Sequence, residues 1–121
     1  MLAALLRAKL GNKAIIESAG TAAAEGEPAS AGAVRAMQRR GLSLADHRAR
    51  ALAEVDLEHI AHFLCMSSQH AMAVRRLGVP ATRIRVVNAE SGGVPDPFAG
   101  DDDDYEACAS VLERFANTFV P

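Results

Sequence analysis

The spacing of apolar residues divides the chain into helical segments that end at Gly, Asn or Pro. Leu2, Leu5, Leu6 and Leu10 recur at helical spacing, and the pattern stops at Gly11-Asn12. The same kind of pattern predicts helices over residues 30–40, 52–61 and 69–77, the third of which is capped by Ser67-Ser68. A last amphipathic helix is indicated by a stripe of apolar residues: Tyr105, Cys108, Val111, Leu112, Phe115 and Phe119.

Three short runs between these helices are rich in β-branched or other apolar residues and predict strands. They cover residues 14–21, 62–66 and 83–88, with the sequences AIIESAGT, HFLCM and RIRVVN. Strands separated by helices predict an α/β fold with a parallel sheet. Ligands bind at the carboxyl ends of the strands in such sheets. The predicted rim is therefore formed by residues 19–21, Ser67-Ser68 and the loop at 88–100.

Length and composition favour one small domain in a reducing compartment. The chain has 121 residues, of which 50% are hydrophobic and 4% aromatic, so we expect a single domain over residues 1–121. Two cysteines without a tight spacing argue against a disulfide framework or a zinc ribbon and favour the cytoplasm. A formal charge of −2 provides no basic field for nucleic acid. No apolar stretch approaches the roughly eighteen residues that a membrane span requires.

The segment VPDPFAGDDDDYE places one aspartate between two prolines and four more before the last helix. Pro95 and Pro97 restrict the backbone around Asp96, so this carboxylic acid could donate a proton to a leaving oxygen at the rim. An ordinary turn aspartate is the alternative. Residues 101–104 are expected to begin the helix, where the helix dipole stabilises negative charge. Metal binding is not expected there, since no ligand spacing such as an EF-hand loop is present.

Neither cysteine is expected to act as a phosphatase nucleophile. Cys108 and Arg114 have the cysteine, five residues, arginine spacing of cysteine-dependent phosphatases, but that chemistry requires a loop whose N–H groups surround the phosphate. On a helix, the two side chains would be roughly 120° apart and about 9 Å apart along the axis. Cys65 lies in an apolar strand and has Ala71 at the arginine position. No zinc-ligand spacing connects the histidines, which are His47, His59, His62 and His70.

Several short motifs occur along the chain in a recognisable order. They are Ser18-Ala19-Gly20-Thr21, Gly26-Glu27-Pro28-Ala29, Gly41-Leu42-Ser43-Leu44, His47-Arg48-Ala49-Arg50, Cys65-Met66 and Asp96-Pro97-Phe98. Together they resemble the low-molecular-weight protein tyrosine phosphatase family, and the likeness covers nearly the whole chain. The resemblance implies an α/β three-layer sandwich with a four-stranded parallel sheet. It also implies a phosphomonoesterase that works through a cysteinyl-phosphate intermediate, without a cofactor or a metal.

The resemblance assigns roles to four residues of this chain. Asp96 matches the general acid that protonates the leaving phenolate and later activates water. Ser18 and His47 match the hydroxyl and the imidazole that support the phosphate loop through hydrogen bonds, and Arg50 matches a recurrent arginine with a structural role. The implied substrate is a phosphotyrosine protein or a small aryl phosphate. Residues 22–24 are alanines where many members of the family have an aromatic residue, which weakens the prediction of an aryl substrate.

No residue of this chain matches the nucleophile of the family. The family's phosphate loop, a cysteine, five residues and Arg-Ser, lies between its first strand and first helix, and residues 1–6 match the continuation of that helix. The resemblance thus implies an N-terminally truncated domain that lacks a central strand, between residues 14–18 and 62–66. An upstream segment is the favoured explanation, and a strand exchanged between chains, as in a homodimer, is the other. The chain alone is expected to have little activity.

Two further functions are compatible with the same residues. A truncated paralogue could bind a partner or a phosphorylated ligand without catalysis. Arsenate reduction uses a related scaffold but requires additional thiols, for which neither Cys65 nor Cys108 is suitably placed. Hydrolysis of an aryl phosphate by the chain with and without an upstream segment distinguishes the phosphatase from the binding protein.

Overall fold

The computed structural model describes residues 1–21 and 24–121, with the backbone alone at Glu54. The helices are α1 (Leu2–Leu10), α2 (Ala31–Gln38), α3 (Ser68–Arg76) and α4 (Asp102–Thr118). The strands are β1 (Phe63–Cys65) and β2 (Ile84–Val86). These elements confirm four of the predicted helices and two of the predicted strands.

β1 and β2 form a parallel pair in which Phe63 lies opposite Ile84. Side chains alternate between the two faces along a strand. Phe63 and Cys65 pack with Val74 of α3, whereas Leu64 packs against the cluster formed by α1, α2 and α4. Helices therefore cover both faces of the sheet. The predicted three-layer α/β fold is confirmed, although the sheet has two strands in the described residues.

The prediction of a helix over residues 52–61 is wrong. The structure has two 3₁₀ turns in this region, Leu52–Glu54 and Leu57–His59. Asp56 lies between them in an extended conformation, and its carboxylate accepts a hydrogen bond from the Glu58 N–H at 3.3 Å. An aspartate that satisfies the N–H of a new turn competes with a continuous helix. A new 3₁₀ turn therefore begins after Asp56, and the first turn does not extend into a continuous helix.

The prediction of a sheet strand over residues 14–21 is wrong, because this segment does not pair with either strand of the described sheet. Ala14 is extended, but the ladder contact described for this segment is a single parallel bridge between Gly20 and Ala51. A strand is held by hydrogen bonds to a neighbouring strand. Neither β1 nor β2 pairs with this segment. The segment is thus not part of the described sheet.

The run of four aspartates begins α4, as predicted. The Asp101 carboxylate accepts a hydrogen bond from the Asp104 N–H at 2.9 Å, and the Asp104 carboxylate accepts one from the Asp101 N–H at 3.1 Å. This reciprocal pair satisfies two N–H groups at the helix start. Just before it, the Gly100 N–H donates to the Pro97 carbonyl at 2.8 Å. These bonds fix the downstream end of the loop that carries Asp96.

Helix α2 packs closely against α4 at a glycine. A Cβ atom on Gly32 would lie 2.3 Å from Cδ2 of the buried Tyr105 ring, so a larger residue would displace the ring. The side chain of Arg40 is only 12% exposed and forms an ion pair with Glu106 at 2.8 Å. Hydrogen bonds from Arg40 and Arg39 lower the pKa of Glu106 to about 2. Both the close packing and the ion pairs hold α4 in place.

Candidate active site

A groove of about 1550 Å³ is lined by α1, residues 14–21, β1 and the loop at residues 94–97. Small-molecule pockets usually occupy about 300–1,000 Å³, so the groove is larger than a small substrate needs. The Cys65 carbonyl accepts a hydrogen bond from the Val87 N–H at 2.8 Å, which orients the Cys65 backbone toward β2. Backbone groups alternate in direction along a strand. The backbone N–H and carbonyl groups of Leu64 therefore point away from β2, toward the edge of β1 that has no partner among the described strands.

Asp96 lies at this groove with its side chain exposed to solvent. Its Oδ1 atom accepts a hydrogen bond from the Phe98 N–H at 3.0 Å, an Asx turn that orients the carboxylate. Pro95 and Pro97 restrict the backbone on both sides. Phe98 is 77% exposed. Asp96 is thus held where it can exchange a proton with a molecule in the groove.

The amino-terminal end of α1 lies in the same groove. Residues 1–4 line it, and Met1 occupies the N-cap position without a side-chain cap. The amino-terminal end of a helix carries the positive end of the helix dipole, which attracts anions. Burial lowers the pKa of the Met1 amino group. This end of the groove suits a negatively charged group.

Both cysteines line the groove, but their environment does not favour thiolates. Cys65 and Cys108 are buried, and burial is the main cause that raises the pKa of each thiol. The Met1 amino group lowers the pKa of Cys108, and the Asp96 carboxylate raises it. The thiolate is the nucleophilic form of cysteine, so neither side chain is an activated nucleophile. Cys108 and Arg114 both lie within α4, which confirms that they form no phosphate loop.

Ser18 and His47 line the groove as well, so the structure brings these residues to the same space as Asp96. Ser18 is exposed, and His47 is half-buried. Burial lowers the pKa of His47, and the positive charges of the Met1 amino group and Arg7 lower it further. These effects favour the neutral imidazole, which can donate one hydrogen bond and accept another.

Arg50 contacts a segment that lines the groove through both its backbone and its side chain. Its guanidinium forms an ion pair with Glu17 at 3.2 Å. Its carbonyl accepts a hydrogen bond from the Gly20 N–H at 2.9 Å. Both contacts tie Arg50 to the segment that lines the groove.

The alanines at residues 22–24 stand where many members of the family have an aromatic residue, and residues 22 and 23 lie outside the described residues. Within residues 1–21 and 24–121, no group of three or more His, Cys, Asp or Glu side chains could hold a metal ion. Across the same part of the chain, every helix is too short or too polar to span a membrane.

The turn at residues 88–93 lies in the loop that was predicted to form part of the rim, but no residue of the turn was assigned a role. Asn88 Nδ2 donates a hydrogen bond to the Gly93 carbonyl at 3.2 Å. The sequence signal for this turn is the Gly92-Gly93 pair, because consecutive glycines mark backbone with unusual dihedral angles.

Comparison with known proteins gives matches over most of the chain. A sequence profile described as low molecular weight phosphotyrosine protein phosphatase matches residues 1–120. A protein-arginine-phosphatase of Geobacillus stearothermophilus is 33% identical over 118 residues, which cover 93% of this chain and 79% of that protein. Low molecular weight protein-tyrosine phosphatase A of Mycobacterium tuberculosis is 39% identical over 77 residues, or 56% of this chain. This second match covers 45% of the mycobacterial protein, less than half of its length.

Solved structures share the fold. A structure of an arginine phosphatase from Geobacillus stearothermophilus has a TM-score of 0.85 and 31% identity, and the match covers 96% of this chain and 78% of the other. A low molecular weight protein tyrosine phosphatase from T. tengcongensis also has a TM-score of 0.85, with 28% identity and coverage of 96% and 84%. The chain belongs to the low molecular weight phosphotyrosine protein phosphatase family.

Proposed function

We propose that this chain provides the acid–base part of a phosphatase site that removes phosphoryl groups from a phosphoprotein. The observation that carries the proposal is that Asp96 and the amino-terminal end of α1 line one groove. The helix start attracts the phosphate anion, and the carboxyl group of Asp96 holds a proton for the leaving group. Membership of the family supports the same class of reaction.

The proposed reaction has two steps, in which Asp96 first gives and then takes a proton. A thiolate attacks phosphorus, and the bond between phosphorus and the leaving atom breaks. Asp96 donates its proton to that atom, which is oxygen in an aryl phosphate and nitrogen in phosphoarginine. Water then attacks phosphorus, Asp96 accepts a proton from the water, and the bond between phosphorus and sulfur breaks. Inorganic phosphate leaves, and the cysteine thiolate is regenerated. No electron is transferred, so the reaction needs no redox cofactor.

The thiolate for this reaction is proposed to reach the groove on an additional extended segment. Cys65 and Cys108 are unsuitable because both thiols are buried and have raised pKa values. The groove volume of about 1550 Å³ and the open edge of β1 at Leu64 support a segment that lies parallel to β1. A segment upstream of Met1 is favoured, because Met1 itself lines the groove. Exchange between two chains is the alternative source.

Phosphotyrosine or a small aryl phosphate is the first proposed substrate class, and phosphoarginine is the second. The mycobacterial relative is named a protein-tyrosine phosphatase, whereas the relative that matches 93% of this chain is named a protein-arginine-phosphatase. Phe98 is 77% exposed and hydrogen-bonds to Asp96 through its N–H. Its ring offers a face for an aryl group or for a guanidinium.

Two peptides of identical sequence, one with phosphotyrosine and one with phosphoarginine, test the proposed function. We expect a chain extended upstream of Met1 to release phosphate from one of them, with the faster substrate defining the class. The 121-residue chain serves as the matched control. If neither peptide is hydrolysed while both bind to the 121-residue chain, a binding role without catalysis replaces the proposal.

A cytoplasmic location is proposed because both cysteines are free and a reducing compartment keeps thiols in that state. A homodimer stays a prediction. It would follow from strand exchange, and sedimentation of the purified chain measures it directly.

A further inference from the structure

The turn that precedes Asp96 is closed by a single asparagine. Asn88 accepts a hydrogen bond from the Gly93 N–H at 3.0 Å through its carbonyl, and its Nδ2 donates to the Gly93 carbonyl at 3.2 Å. Both backbone polar groups of Gly93 are therefore bound by one residue. The second bond comes from the side chain, whose amide N–H is the donor, so an alanine at this position would lose it.

The backbone of this turn also requires particular residues. Asn88 has φ 57° and ψ 39°, in the left-handed region that Asn tolerates better than most residues. Gly93 has φ 101°, and a Cβ atom there would lie 2.5 Å from the Met66 carbonyl oxygen. The turn thus brings Gly93 into direct contact with the end of β1, where no larger residue fits.

The contact with β1 sets the starting point of the Asp96 loop. The Val94 N–H donates a hydrogen bond to the Met66 carbonyl at 2.7 Å, and both Gly93 and Val94 are buried. Asp96 follows two residues later, at the groove. The position of its carboxylate therefore depends on the bond between Val94 and Met66, which in turn depends on how Gly93 is held.

We propose that Asn88 is a positioning residue for Asp96. It locks Gly93 against β1, so that the loop begins in one place and the Asx turn between Asp96 and Phe98 forms over the groove. The effect of Asn88 on catalysis rests on the proposed function. The effect of Asn88 on the position of the Asp96 carboxylate can be measured without any catalysis.

Amide NMR of the 121-residue chain tests this link. The Phe98 N–H is bonded to the Asp96 carboxylate, so its signal should shift when acid protonates that carboxylate. We expect Asn88→Ala to reduce the size of this shift and to speed hydrogen exchange at Val94 about tenfold. Exchange at Leu112 in the core of α4 should not change.

Two further variants distinguish the effect of the Asn88 side-chain amide from the effect of its backbone conformation and from the loss of any amide. Asn88→Gly retains easy access to positive φ but loses the amide, so it should fold and still reduce the Phe98 response. Asn117→Ala removes the same amide from an exposed site on α4 and should leave the Phe98 response at its wild-type size. A full-size Phe98 response in both Asn88 variants would overturn the proposal.

The failure of this proposal is distinguishable from failure of the proposed function. If Asp96→Asn leaves phosphatase turnover unchanged in an active, extended chain, Asp96 is not the general acid, whatever the NMR result. If Asp96→Asn slows turnover and both Asn88 variants keep a full Phe98 response, the acid is assigned correctly and Asn88 does not position it.

Discussion

A chain extended upstream of Met1 is expected to hydrolyse p-nitrophenyl phosphate about a millionfold faster than the 121-residue chain. The physical reason is that the proposed nucleophile lies on the upstream segment, and removal of a covalent nucleophile has cost about six orders of magnitude in another hydrolase. The groove contains Asp96, the proposed acid, and the amino-terminal end of α1, whereas burial raises the pKa values of Cys65 and Cys108. Initial rates of p-nitrophenol release, at equal concentrations of the two chains, measure the difference.

The two resident cysteines provide the control for this comparison. Cys65→Ala and Cys108→Ala should leave the rate of the extended chain nearly unchanged, since both thiols are buried. Equal rates for the extended and unextended chains would contradict the proposal. So would an upstream reading frame without an apolar strand followed by a cysteine, five residues and an arginine.

The second large effect is expected at Asp96. In the active, extended chain, Asp96→Asn should slow the hydrolysis of phenyl phosphate by about 10²–10⁴-fold, because the leaving oxygen loses its proton donor. The loss should be smaller for p-nitrophenyl phosphate, whose phenolate leaves more easily without a proton. Measuring kcat for both esters tests this difference directly.

Asp103→Asn is the matched control for Asp96→Asn. Asp103 is exposed in the first turn of α4, close to Asp96 in sequence, and the change removes the same charge. We expect it to leave kcat for both esters unaltered. An equal slowing of both esters by Asp96→Asn would contradict a role in protonating the leaving group.

The sequence allowed much of the helical framework to be predicted. The acidic run before Tyr105 indicated a helix start, and Asp101 and Asp104 form the capping box there. Ser67 was predicted as a cap, and its side chain accepts a hydrogen bond from the His70 N–H at 3.2 Å. These signals are local, because a cap and the helix it begins lie within one turn of each other.

The errors occurred where local patterns depend on distant partners. Residues 14–18 have the composition of a buried strand, but a strand forms only when a neighbour pairs with it, and the described sheet provides none. At residues 52–61 the apolar spacing was compatible with a helix, whereas Asp56 caps a new turn instead. Neither outcome can be read from periodicity alone.

The features that hold the Asp96 loop in place could be predicted only in part. Pro95 and Pro97 indicated a stiffened loop, as the sequence shows directly. The bond from Val94 to Met66 joins residues 28 positions apart, and no local pattern reports it. Asn88 was therefore missed, because its importance depends on where Gly93 meets β1.

The central claim is that a thiolate in this groove takes the phosphoryl group while Asp96 protonates the leaving group. Acid quenching of the extended Asp96→Asn chain during turnover of p-nitrophenyl phosphate, followed by peptide mass spectrometry, tests it most directly. The account predicts phosphate bound to a cysteine in the upstream segment, with Cys65 and Cys108 unmodified. Phosphate on either of these two residues, or no phosphoenzyme during measurable turnover, would contradict it.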